Sequence, residues 1–139
     1  MISNPRDEEM QLLSLILAGG LVTGVAEART LDPQYQEVAY VCSDTTVQSI
    51  SSRLADGDGR PIPNMGSQIV FANGISVVDY ETPKVVERER TGDKVQVCLV
   101  AVPKNCPPGD ERGKVYRVFD YGQKAAYEMG DSQHVCGGA

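Results

Sequence analysis

Four cysteines, Cys42, Cys98, Cys106 and Cys136, all follow an uncharged apolar run that ends in a small-x-small site. Leu12 to Val25 reads LLSLILAGGLVTGV, with Ala26-Glu27-Ala28 directly after it. A membrane-spanning helix needs about 20 apolar residues, so this run is too short to span and matches the apolar region of a secretory signal cut after Ala28. The opening MISNPRDEEM carries three acids against Arg6, whereas a signal begins positively charged. Met10, immediately before the apolar run, is therefore the expected true start. A soluble helix over the same residues is disfavoured, because Gly19, Gly20 and Gly24 weaken it and no polar stripe alternates with an apolar one.

Export puts the cysteines in an oxidising compartment, where an even count in a small chain implies disulfides. Cys42 with Cys136 and Cys98 with Cys106 is the favoured pairing, tying the first strand to the tail and closing a local loop. Cys42 with Cys98 and Cys106 with Cys136 is the alternative. Zinc is disfavoured, because no two cysteines have C-x₂-C to C-x₄-C spacing and His134 is the single histidine. No metal or other cofactor is expected.

Residues 29–139 form one expected domain. Removing residues 1–28 takes away Arg6 and four acids, leaving twelve Lys and Arg against fifteen Asp and Glu. A net charge near −3 disfavours nucleic acid, whose binding draws on dense positive charge. It also disfavours a polybasic hold on lipid. With no Trp and two Phe, the core must rest on Val, Ile, Leu and Ala.

Apolar and polar residues alternate in short runs between turn signals, the pattern of half-buried strands. Strands are expected at 38–43 and 45–54. A Gly- and Pro-rich break follows at 56–63. Ser67 to Ala72, Asn73-Gly74 and Ile75 to Glu81 form the clearest hairpin, with Asn-Gly suited to a type I′ turn. Lys84 to Arg90 and Lys94 to Val102 suggest a second hairpin, its first arm a charged ribbon and its second a central strand apolar on both faces. Lys114 to Tyr121 and Lys124 to Met129 suggest a third. The sum is an all-β antiparallel meander of about seven or eight strands, a small barrel or a two-layer sandwich, behind a cleaved signal helix.

The sequence carries no strong catalytic motif. His134 sits in a Gly-flanked tail, and Asp131, Ser132 and His134 are too close in sequence to converge readily on one reacting atom. Asp56-Gly57-Asp58-Gly59 is only a fragment of a calcium-loop pattern. Glu87 with Glu89 and Asp110 with Glu111 are expected to be solvated. No Gly-rich turn opens a helix, so no nucleotide site is indicated. The constrained loop 103–113 offers the best recognition surface, presenting Lys104, Asp110, Glu111 and Arg112, with Tyr116, Tyr121 and Tyr127 as a neighbouring aromatic patch.

Tyr40-Val41-Cys42 together with a C-terminal cysteine resembles the bacterial periplasmic inhibitors of c-type lysozyme, small β-barrels whose first and last cysteines join. The likeness covers those two points. The family's Ser-Gly-x-x-Tyr loop is absent, with Asn73-Gly74-Ile75-Ser76-Val77 the nearest substitute, so its inhibitory residues are not carried over. The expectation is a periplasmic or secreted, non-catalytic binding module, without a membrane span after processing, whose partner is an envelope or extracellular protein or a small ligand. A carboxylate-dependent secreted hydrolase is the other class. It requires a concave site holding two acids, at least one with a raised pKa.

Overall fold

A computed structural model describes residues 32–138, and the expected signal segment, 1–28, with its alternative start at Met10, lies outside them. The elements are β1 (Tyr35–Ser52), β2 (Ser67–Phe71), β3 (Ser76–Asp79), α1 (Lys84–Arg88), β4 (Lys94–Pro103), β5 (Val115–Asp120) and β6 (Ala125–Gly130). The strands close into a barrel in the order β1-β2-β3-β6-β5-β4, every pairing antiparallel.

The all-β expectation holds, and the barrel is the form it takes. The connectivity is a Greek key and not the expected meander, because β1-β2-β3 run as sequential neighbours but β4 returns to lie beside β1. Among the described residues there are six strands, not seven or eight, for two reasons. The runs at 38–43 and 45–54 join as one strand, since Asp44 and Thr45 stay in register with Gln96 and Val95 of β4. The first half of β1 thus pairs with β4, and from Val47 its other edge takes up β2.

The second reason is Lys84 to Arg90, which was expected to be a charged ribbon. Its first five residues are a helical turn instead. Pro83 fixes the entry at φ −57°, and the amides of Glu87 and Glu89 donate back to the carbonyls of Pro83 and Val85. Val86 and Glu89, three residues apart, turn inward, while Glu87 and Arg88 face solvent. Read at a two-residue period, the segment puts charge on both faces, and that hid the helical spacing.

Inward positions alternate along the strands as the pleat demands: Ile69 and Phe71 on β2, Val77 on β3, Val95 and Val97 on β4, Val118 on β5, Tyr127 and Met129 on β6. Val47 of β1 and Val86 of α1 complete the core. The 67–81 hairpin forms as expected, but its turn differs. The Gly74 amide donates to the Phe71 carbonyl, and Gly74 alone of the Asn-Gly pair has positive φ, at 90°. That is a three-residue loop ending in a glycine bulge, not type I′.

The two disulfides are Cys42–Cys98 and Cys106–Cys136, so the favoured pairing is overturned and its alternative stands. Register decides it: Cys42 lies directly opposite Cys98 across β1 and β4, with Cα atoms 4.0 Å apart. Cys106 and Cys136 meet where the 103–113 loop lies against the tail, Cα atoms 5.3 Å apart.

Candidate functional site

The end of the barrel where β5 stops and β4 begins collects the side chains best placed for function. Tyr121 follows β5 directly, and its amide donates to the Lys94 carbonyl at 3.1 Å. Its phenol donates to Asp44 Oδ1 at 2.5 Å, and its ring meets Phe119 edge-on, centroids 5.4 Å apart. Two independent contacts therefore hold a ring that remains 43% exposed. The Asp44 hydrogen bond is also the main reason the phenol's pKa lies above its ordinary value.

Tyr121 and Lys94 are shared by two clefts. One, of about 510 Å³, is faced mostly by apolar atoms of Asp44, Thr45, Thr46, Ala72 and Val95. The other, of about 550 Å³, is bounded by Gly92, Asp93, Asp120, Gly122 and Gln123.

Buried acids sit at the same end. Asp120 is 1% exposed and accepts from the Gln123 amide at 2.8 Å and from Gln123 Nε2 at 3.1 Å. The same Nε2 reaches the Val85 carbonyl at 2.9 Å, tying this turn to α1. Glu89, 5% exposed, accepts a hydrogen bond from the Tyr127 hydroxyl at 2.9 Å through Oε2, while Oε1 is buried without a partner. Burial is the largest cause of a Glu89 pKa pushed up to about 7; Asp120 and Asp93 add to it and the Tyr127 bond opposes it. Glu89 was read as a solvated carboxylate on a ribbon, and the helical turn overturns that.

The residues chosen for recognition are divided between opposite ends of β5. Lys104 and Glu111 are exposed on the 103–113 loop. Asp110 and Arg112 are engaged within the protein: Arg112 Nε and Nη2 each lie 2.9 Å from an Asp110 oxygen, and the Gly137 amide donates to Asp110 at 3.0 Å. The Arg112 side chain is the main reason the Asp110 pKa falls well below the usual carboxylate range. Tyr116 lies at the loop end of β5, half-buried beside the core, and borders a small recess with Ile75 and Asp131. Tyr121 is five residues on, about 17 Å away at strand spacing. Tyr127 is buried against Glu89, so the three tyrosines form no common patch.

Sequence reasoning missed Asp44 and Asp120, and it placed Glu89 in solvent. Asp120 was hidden because it falls on the inward phase of β5, two residues after Val118, where an apolar residue is the norm. That inward phase was the available signal.

Fold and site together define a small Greek-key β-barrel braced by two disulfides, a feature typical of oxidising, exported compartments. No family model, curated protein or solved structure matches the chain.

Proposed function

We propose that this is an exported, non-catalytic binding module that engages a partner protein or small ligand at the Tyr121 end of the barrel. One observation carries the reading: Tyr121 is an exposed aromatic side chain held in place by Asp44 and Phe119 between two open clefts. A ring already fixed loses little freedom on binding, and fixed tyrosines beside apolar recesses are the usual anchors of interfaces. The braced 103–113 loop, with exposed Lys104 and Glu111, offers a second and more polar contact surface at the opposite end.

The test is affinity capture from an envelope extract with the oxidised domain, comparing wild type, Tyr121→Ala and Glu111→Ala. A partner retained by wild type and Glu111→Ala but lost with Tyr121→Ala supports the assignment. Retention by all three refutes it.

The hydrolase reading gains one specific observation, since Glu89 and Asp120 are both buried at one barrel end and Glu89 has a raised pKa. Against it, Glu89 does not border either cleft, and Gln123 donates to both Asp120 oxygens. A titrating acid out of a substrate's reach favours binding over hydrolysis. The narrower inhibitor reading loses one of its two supporting points, because Cys42 joins Cys98. The expected result is that micromolar oxidised domain leaves c-type lysozyme activity unchanged.

A further inference from the structure

The placement of Glu89 explains more than the packing of one acid. We infer that Glu89 is a proton-operated latch for α1: protonated, it holds the helix across the barrel end, and ionised, it releases the helix together with the Gly92–Asp93 wall of the adjoining cleft.

Three kinds of contact secure α1 to the barrel: Val86 in the core with Val85 packed against it, the Gln123 side chain on the Val85 carbonyl, and Glu89 on the Tyr127 hydroxyl. A five-residue helix has too few internal hydrogen bonds to persist alone, so these contacts decide where it sits. Only the third contains a group that changes charge near neutral pH.

The surroundings of Glu89 offer an anion little compensation. Tyr127 from β6 donates one hydrogen bond, Asp120 from β5 and Asp93 from the α1–β4 turn are acidic, and among the described residues no Lys or Arg is paired with it. Its second oxygen is buried without a donor. A carboxylate in that position lowers its free energy by reaching water, and α1 is the element that must move to let it. A pKa near 7 places the change within a physiological range.

The wall of the cleft follows α1 closely in sequence. The Gly92 amide donates to the Val47 carbonyl and the Val47 amide to the Asp93 carbonyl, the hydrogen bonds that join this wall to β1. That the release widens a ligand site rests on the binding reading above; the release itself does not.

Backbone amide exchange, corrected for the intrinsic effect of pH, tests this without any ligand. Protection of the Glu87 and Glu89 amides is expected to fall at least tenfold from pH 5 to pH 8 while staying well below that of Val118 in the core, whose own protection declines with global stability. In Glu89→Gln, which keeps an acceptor for Tyr127, protection at α1 should be independent of pH. Asp120→Asn, a second variant should Glu89→Gln fail to fold, removes a like charge that helps raise the Glu89 pKa and should shift the midpoint to lower pH. Protection at α1 that does not vary with pH, or that equals that of Val118 at every pH because α1 opens only with the whole barrel, overturns the latch. So does an unchanged midpoint in Asp120→Asn. If the latch operates but Tyr121→Ala retains every partner, the binding reading alone is wrong.

Discussion

Cys42 stands directly across from Cys98 on the neighbouring strand, Cα atoms 4.0 Å apart, so this disulfide staples β1 to β4 in register. Non-reducing digestion should yield Cys42 linked to Cys98 and Cys106 linked to Cys136, with no Cys42–Cys136 peptide. Replacing both Cys42 and Cys98 with serine should cost about 2–5 kcal/mol in denaturant unfolding. A loss within experimental error would show that the ladder alone fixes the register.

Glu89 should make the folded state less stable as pH rises. Its pKa goes up from 4.5 to about 7 on folding, so the folded chain holds the proton more tightly than the unfolded one. The associated stability is complete below 4.5, declines as pH rises to about 7 and is constant above it. Glu89→Gln should flatten that decline and raise the melting temperature at pH 8 by about 4–8 °C for each kcal/mol recovered. Thermal melts across pH 4 to 8 check this, and parallel curves for the two proteins would contradict it.

Gly66 should tolerate no side chain. Its φ is 87°, and a Cβ there would run into the Asp79 carbonyl oxygen and stand 2.6 Å from the Tyr80 carbonyl carbon. The backbone has no room to yield, because Ser67 pairs with Asp79 in the β2–β3 ladder. Gly66→Ala should lose at least about 2 kcal/mol, against a smaller loss for Gly59→Ala, which has positive φ but open space around it. Urea unfolding of the two variants makes the comparison.

The C-terminal tail should stay docked well into acid. Arg112 and the Gly137 amide hold the Asp110 pKa below its ordinary 3.8, so this contribution is present above 3.8 and lost only as pH falls further. The Gly137 amide resonance should therefore keep its docked position at pH 4, and Arg112→Gln should move its release to higher pH. Equal release points would mean that Cys106–Cys136 alone anchors the tail.

What the sequence made legible was the part governed by local pattern. The two-residue period marked β2 through Ile69 and Phe71 and β4 through Val95 and Val97, and Asn73-Gly74 marked the hairpin between β2 and β3. Disulfide pairing depends on which strands become neighbours. A Greek key puts β4 beside β1, and no local pattern around Cys42 announces that. The site was harder still. Glu89 and Tyr127 are 38 positions apart and Asp44 and Tyr121 are 77 apart, so both contacts exist only once the barrel has closed. Lys84 to Arg88 was misread because a two-residue period puts one valine and further charges on each face, as in a solvated edge strand, while its inward spacing is helical.

The barrel is sealed unevenly. β1 is bonded along most of its 18 residues to one neighbour or the other, whereas β3 and β6 are joined by the single pair Val78 and Gly130. Under pulling force or mild denaturant the cylinder has a built-in seam: it should part first there, peeling into a curved six-stranded sheet whose two newly bared edges are free to pair with other chains.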